Sequence, residues 1–529
     1  MTDVIRHYDI ICFGDEVPGI LAVVSAAREH YRRVKKYPRS LVLFKGNSKF
    51  GIGGHLVRGG LSYLDRSVVA KVVRDKFNLP TYGDESAIYE EFLARTGVQQ
   101  VGLDPNKASA VLRKMLSEVG ADILDNIDIE SVNKNGADIL SIRLTKGEVY
   151  QGKVFIDSTV NAELAQFAGV RKLKGFETFG LPDSELSVTL TFEIEGVSVD
   201  RLKQVEMQYM KRFANLADKD AQGWINIAAG GNPKRADYLR EPFVTNKDNL
   251  SKIAMYSGSD YIDVRSYALS IAYHSFRGTQ LSLAVSNAIL DKANIAILPN
   301  GRMSWNALLF DVNADQAESL ARNGSRPTLE MLNEMELLAK WFKVAVGAKT
   351  VRRAPELYIR HAGNVTSVID PLTGTEMLQG GVPAKQALGT FGYHFDIRGG
   401  IDGLGVRAGE KGLGEFTNKY LPAPLFNIGI LHTLLRNVSN LSVISPASGF
   451  EGYASSCGRI VEFNCAVGEG VGIAAAISML SGRKLNQISD REVRDVLSAT
   501  GKLSKVYGQP NSGDSEIAEL QKFEQSMMA

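Results

Sequence analysis

Tyr8-Asp-Ile-Ile-Cys-Phe-Gly14-Asp15-Glu16-Val17-Pro18-Gly19-Ile20-Leu21-Ala22-Val23-Val24 is the stretch whose reading decides the fold. A short apolar run from Ile10 to Phe13, closed by Gly14, reads as a strand buried on both faces. Ile20, Val23, Val24 and Ala27 then recur at helical spacing, the pattern of a helix laid on a core. Pro18 suits the first turn of that helix, where a missing N–H costs nothing. After a basic connection from Arg32 to Arg39, Ser40-Leu-Val-Leu-Phe44 reads as a second buried strand. Strand, tight turn, helix and strand open a dinucleotide-binding α/β fold with a parallel sheet.

The turn departs from the usual fingerprint. In G-x-G-x-x-G the first and third glycines let the chain turn and pack, and the second lets the backbone approach a pyrophosphate. Here Gly14 and Gly19 hold the outer positions, and Glu16 stands in the middle. An acidic residue is expected at the end of the second strand to hold a ribose hydroxyl; Lys45 is there instead. Further on, Gly51-Ile-Gly53-Gly54-His-Leu-Val-Arg58-Gly59-Gly60 concentrates glycine among apolar residues, as a backbone laid against a flat ligand requires.

Three more segments extend the pattern. Asp104-Pro105 is a capped helix start, followed by a stripe of Ala108, Val111, Leu112, Met115 and Leu116. Val154-Phe-Ile-Asp157-Ser-Thr159-Val160-Asn161 ends a third apolar run. Cys457-Gly-Arg459 leads into a glycine-rich helix that carries Gly468 and Gly472. In this order the segments resemble the FAD-dependent oxidoreductases with a glutathione-reductase-like flavin-binding fold. The likeness covers roughly residues 8–175 and 420–485.

That resemblance implies a Rossmann-like FAD/NAD(P)-binding domain with a parallel sheet, interrupted by an inserted α+β substrate domain. The expected pieces are residues 1–180 and 420–485 for the flavin domain, 181–419 for the insertion, and 486–529 for a C-terminal helix and polar tail. It implies FAD as cofactor, contacted through Gly14, Glu16, Gly19, Lys45, Gly53, Gly54, Asp157, Thr159, Arg459, Gly468 and Gly472. Val160 and Asn161 replace the family's glycine and second acid. Arg459 would place a cation near the flavin, and Cys457 reads as a structural thiol. The implied activity is hydride transfer between a small organic substrate and flavin.

Two looser blocks supply catalytic candidates. Arg360 and His361 follow Glu356-Leu-Tyr358-Ile, and Tyr393 and His394 follow Gly392. Arg360 could grip a substrate carboxylate bidentately or serve a structural ion pair. Either histidine has a suitable pKa for proton transfer, and either could be structural. Tyr393 and Asp396 could orient substrate or merely shape a turn. A chain that has lost flavin and only binds a ligand or a protein remains the rival reading, motivated by Glu16, Lys45, Val160 and Asn161. A different nucleotide is a third, since Lys45 suits a phosphate.

Composition sets the outer bounds. The 529 residues carry 61 Lys+Arg against 59 Asp+Glu, so no basic footprint for nucleic acid stands out. No uninterrupted apolar run reaches the roughly 20 residues of a membrane span. Three cysteines without a C-x-x-C pair argue against a disulfide framework or a zinc ribbon. No metal site, nucleic-acid partner or secretory signal is expected. A cytoplasmic setting is, with a small-molecule substrate and a second copy of the chain as the expected partners. Near Ser187–Glu195 the pattern alternates as a half-exposed strand, 198–216 and 326–348 look helical, and Gly403–Gly414 reads as a loop. The tail beyond Lys505 reads as solvated or weakly docked, with a short helix at 515–527.

Overall fold

The computed structural model describes residues 5–397, 400–414, 416 and 422–528. Five short segments form one parallel sheet: β1 (Ile10–Phe13), β2 (Ser40–Leu43), β3 (Asp122–Leu124), β4 (Val154–Asp157) and β5 (Leu441–Val443). Their order is β5-β4-β1-β2-β3. Phe13 pairs with both Leu43 and Asp157, so β1, β2 and β4 end level and their loops emerge at one edge. That edge, at the carboxyl ends of the strands, is where open α/β sheets bind ligands. β1 is buried on both faces, with Ile10 and Cys12 in the helix-side core and Ile11 and Phe13 in the core beneath.

The helix layer consists of α1 (Val17–Val34), the short α2 (Gly54–Val57), α3 (Pro105–Glu118) and α4 (Val461–Ser481). Asp104 caps α3 by accepting from the Asn106 N–H at 3.0 Å, as its sequence predicts. α4 is long and apolar enough to cross a membrane by length and composition, but 83% of its apolar window is buried inside the protein. It crosses α1 at very short range. A Cβ on Gly468 would lie 2.5 Å from the Pro18 carbonyl oxygen, and one on Gly472 would strike the Ala22 carbonyl. Ser25 Oγ closes the contact by donating to the Glu469 carbonyl at 2.8 Å.

The second domain is an antiparallel sheet backed by helices. Its hairpin, Ala288–Leu298 and Arg302–Phe310, turns through Asn300 and Gly301, both at positive φ. Phe192 and Trp305 stack across neighbouring strands at 5.8 Å, and Phe342 packs edge-on to both. The expected helices are Val199–Ala214 and Leu329–Trp341.

Three expectations change. The insertion's own core ends near Ala362, because Met377, Phe391, Tyr393 and Phe426 pack into the core that holds α1 and α4; the expected boundary at 419/420 lies outside the described residues. Leu404–Glu410 is a helix rather than part of a loop, with Leu404 and Ala408 buried. The tail is docked: in α5 (Asp514–Met528), Phe523 and Met527 are buried. Glu524 of α5 accepts from the Gly374, Thr375 and Tyr453 N–H groups at 3.1, 3.0 and 2.9 Å. Those bonds satisfy otherwise orphaned donors, a reward the tail's polar composition concealed.

Candidate functional site

The turn after β1 is set by close approach. Gly14 has φ +99°, and a Cβ there would lie 2.5 Å from the Ser158 backbone after β4. The chain then presents Asp15 and Glu16 to the edge of the sheet. Asp15 is 4% exposed. Its Oδ2 accepts from the Gly53 N–H at 2.9 Å and the Gly54 N–H at 3.4 Å. Its other contact is the Arg58 guanidinium fork, with Nη2 at 2.8 Å from Oδ1. Arg58 also donates Nε to Glu356 Oε1 at 2.7 Å and lies over the Phe44 ring at 4.9 Å. Burial opposes the charge on Arg58, but Asp15 and Glu356 outweigh it and hold the guanidinium protonated. The glycine-rich loop is thus fastened by a buried Asp15–Arg58–Glu356 triad that joins both domains.

Glu16 is held differently. Among the described residues its carboxylate accepts only from the His55 N–H, at 3.1 and 3.2 Å, with the His55 ring nitrogen Nδ1 3.5 Å away. Burial, and then the charge of Asp15, push its pKa well above the usual carboxylate range. Burial, and then Arg58, push His55 down to about 3, so its ring is neutral at physiological pH. Glu16 is the N-cap residue of α1, yet its side chain caps nothing there, and the first turn of α1 holds no acid.

The remaining residues at this edge of the sheet are engaged locally. Strand-end positions suggest a local ion pair between Lys45 and Glu16, or of either with Asp15; Lys45 pairs with neither acid, and Asp15 pairs with Arg58. Lys45 bonds Glu163 at 2.7 Å, Asp128 at 3.1 Å and the Arg322 carbonyl at 2.7 Å. Asp157, with its pKa pushed up to about 6 by burial, accepts from Thr159 N and Oγ1 and from Ala165 N at 3.0, 2.6 and 2.9 Å. Asn161 donates to Glu318 at 3.1 Å. The cleft among Asp15, Glu16, Lys45, His55, Arg58 and Asn161 has a volume of about 60 Å³. Pockets that enclose a drug-sized ligand are roughly 300–1,000 Å³.

A larger cavity of about 650 Å³ opens on the other side of the loop, walled by Tyr63, Tyr82, Tyr261 and Tyr393, with His394 and Asp396 at its rim. Arg459, just before α4, backs it. Its Nη2 donates to Asp396 Oδ2 at 2.7 Å and toward the Tyr393 hydroxyl at 3.4 Å, and Asp65 lies 3.7 Å from Nη1. Its Nε is buried with no hydrogen-bond partner among the described residues. Burial, and then Asp65, keep Tyr393 a neutral phenol. Arg66, over the Tyr82 ring at 4.5 Å, donates to Glu462 at 2.5 Å.

The sequence candidates therefore fall into two groups, with two pairs left outside both. Gly14, Glu16, Gly19, Lys45, Gly53, Gly54, Asp157 and Thr159 gather at the edge of the sheet. Tyr393, His394 and Arg459 gather at the aromatic cavity. Gly468 and Gly472 join neither group and face α1. Arg360 and His361 are each 1% exposed and line neither cavity. Arg360 donates to the Ser187 carbonyl at 2.8 Å and lies over Tyr358 at 4.5 Å. His361 contacts Glu185 at 2.7 Å and stacks on Phe176. The sequence offered Asp15 only as an ion-pair partner for its neighbours and gave Glu356 and Asp65 no role, since no local pattern shows acids converging from distant segments. Arg58, the lone cation inside the glycine-rich stretch, was the available signal.

Residues 9–497 match the model of a family described as FAD dependent oxidoreductase. No curated protein matches the chain. Among solved structures, halogenase PltM in complex with FAD is 11% identical, with a TM-score of 0.36, over 94% of this chain and 75% of that one. A geranylgeranyl bacteriochlorophyll reductase-like protein from Thermoplasma acidophilum is 10% identical, with a TM-score of 0.35, over 98% and 96%. L-proline dehydrogenase from P. horikoshii is 10% identical, with a TM-score of 0.34, over 94% and 100%. At these scores the likenesses carry no argument about activity.

Proposed function

The chain belongs to the FAD dependent oxidoreductase family, and from that premise we propose that it moves a hydride between flavin and a small, flat organic substrate held in the tyrosine-walled cavity. FAD is the family's cofactor, and the donor set here suits it at two points. The Gly53, Gly54 and His55 N–H groups and Arg58 converge on anionic oxygens, here those of the Asp15 and Glu16 carboxylates. The Nε of Arg459, buried beside the cavity with no acceptor among the described residues, is a donor that could serve a bound group. The ribose contact differs from the family pattern, because Lys45 and Glu163 close on each other.

Bound FAD supplies the two-electron exchange itself. The chain's own residues shape where it happens. Tyr63, Tyr82 and Tyr261 offer ring faces and edges that favour a planar or apolar partner. Tyr393 keeps its proton and so presents a hydrogen-bond donor at the cavity wall. His394, at the rim, is placed to exchange a proton with solvent. Asp396 and Asp65 fix the Arg459 guanidinium so that its charge stays put. Arg360 and His361 are buried away from the cavity lining, against Ser187 and Glu185.

The observation that carries the reading is the 650 Å³ aromatic cavity backed by a fixed, buried arginine within a family of flavoenzymes. The midpoint potential of the bound flavin tests it. Losing one charge-assisted contact worth about 1.4 kcal/mol to the reduced flavin lowers a two-electron potential by about 30 mV. Arg459→Met is expected to lower the potential by that much or more, and Arg459→Lys by less. An unchanged potential in Arg459→Met refutes the placement of Arg459 beside the ring. One observation favours a second reading, a ligand-binding module without flavin: the cleft at the sheet edge measures only about 60 Å³.

A further inference from the structure

A cavity of about 160 Å³ is formed by segments between Asp370 and Asp490, and it shares no lining residue with the tyrosine-walled cavity or with the cleft at the sheet edge. One water needs roughly 10–15 Å³, so the space admits a small molecule rather than a single solvent site. Asp370 is exposed at its mouth and Glu376 is half-buried. The inner wall is apolar, with Phe426 from the strand Leu425–Asn427 and Phe463 from α4, their ring centroids 5.8 Å apart. Among the described residues no Lys or Arg lines it.

Two buried polar atoms of this lining, Asp490 Oδ2 and His432 Nε2, have no hydrogen-bond partner among the described residues. Asp490, 2% exposed, opens the helix Asp490–Ala499 and gives the fold its Oδ1, which accepts from the Ile430 N–H at 2.7 Å. A Cβ on Gly429 would lie 2.6 Å from Oδ2, so glycine at that lining position leaves the oxygen uncovered. Burial, opposed by the Ile430 N–H, pushes Asp490 up to about 6, so at pH 8 it is an anion facing a wall without cations. His432 is 5% exposed and packs on Phe450 and Phe463 at 5.0 and 5.7 Å. Burial pushes it down to about 3, and a neutral imidazole can accept through one ring nitrogen. Leaving such atoms unsatisfied costs stability that a donating ligand restores.

Acids without bases call for a cationic occupant. Among the described residues no group of three His, Cys, Asp or Glu side chains is placed to hold a metal ion, and phenyl walls favour an organic cation, which ring faces attract. We propose that this cavity is a second ligand site that takes a small organic cation through a primary ammonium group, which donates to Asp490 Oδ2 and His432 Nε2. The alkyl part lies against Phe426 and Phe463, and Asp370 at the mouth adds a salt-screened attraction. The site stands apart from the flavin reading, since neither the cavity nor its polar atoms belong to the redox side of the molecule.

The test titrates the full chain, as purified, with n-propylammonium and with the neutral 1-propanol at pH 8, read by ligand-detected NMR; thermal melts verify that each variant is folded. Wild type is expected to prefer n-propylammonium by about tenfold or more, the effect of a charge-assisted hydrogen bond. Asp490→Asn keeps an oxygen for the Ile430 N–H but removes the charge, and should lose that preference. His432→Phe removes Nε2 at similar volume and should weaken n-propylammonium by about threefold or more. Asp370→Asn, at an exposed position, should weaken it by about twofold at low salt and not at high salt. If wild type binds n-propylammonium no better than 1-propanol, the cavity holds water alone and the proposal is overturned. A folded Asp490→Asn that keeps the wild-type preference overturns it equally. Should Asp490→Asn fail to fold, unchanged n-propylammonium affinity in His432→Phe refutes the proposal, and weakened affinity supports it.

Discussion

Gly472→Ala distinguishes a packing glycine from a cofactor glycine. The family likeness assigns Gly472 to the flavin, whereas the structure sets it against α1. A new methyl group would strike the Ala22 carbonyl oxygen and lie 2.6 Å from Ser25 Cβ and 2.8 Å from the Ala26 nitrogen. Two of these neighbours are backbone, and both helices are tied to the sheet, so neither can retreat freely. Overpacking of this kind costs about 1–3 kcal/mol. Alanine in place of glycine inside a helix returns about 1 kcal/mol. The expected net loss, about 1 kcal/mol, lowers the melting midpoint by about 2–4 °C in a cooperative unit of roughly 150–250 residues. Gly470→Ala is the internal comparison, because its methyl would meet Leu388 Cδ1 at 2.6 Å and Ile430 Cγ2 at 2.8 Å, both ends of movable side chains. Its midpoint should stay near that of wild type. The assay is a thermal melt of each variant, with flavin per folded chain measured in parallel. Gly472→Ala should melt lower at unchanged flavin content. A midpoint equal to wild type combined with lost flavin would mean that Gly472 serves the cofactor.

Two further outcomes follow from buried charges. Lys45→Met strands Glu163, whose side chain is 4% exposed, and breaking a buried pair from one side costs about 3 kcal/mol or more; urea denaturation should show that loss, Lys45→Arg should recover most of it, and wild-type stability in Lys45→Met would contradict the pair's role. Burial, opposed by Arg66, pushes Glu462 up to about 7, against about 4.3 in an unfolded chain. The folded state therefore binds more protons than the unfolded state between those values, and stability falls as pH rises through that window. Melts of Glu462→Gln should show a flatter pH dependence there than wild type, and parallel curves would refute the assignment.

The strand-turn-helix opening was legible because its signals are local: apolar runs of strand length, a glycine at the turn, Pro18 at the helix start. The capped start of α3 was legible for the same reason. The site was half legible. Glycines mark where backbone approaches something closely, but not what it approaches. Gly14 and Gly19 both meet Ser158, Gly54 meets Glu16, and Gly468 and Gly472 meet α1. Glu16 and Lys45 stood out as misfits, yet their partners, His55 and Glu163, come from other segments. Arg360 and His361 looked substrate-facing by position, while three-dimensional packing placed them behind Phe176 and Tyr358. The C-terminal helix was visible as a helix; its docking depends on Glu524 meeting donors at Gly374 and Tyr453, a match that composition does not encode.

Flavin released by heat from the purified full chain is the most direct measurement of the central claim. A protein with absorbance near about 450 nm that yields about one FAD per chain is the predicted result. A colourless chain that takes up no FAD on reconstitution, either as wild type or as Glu16→Gln, would contradict it and leave the fold as a ligand-binding module.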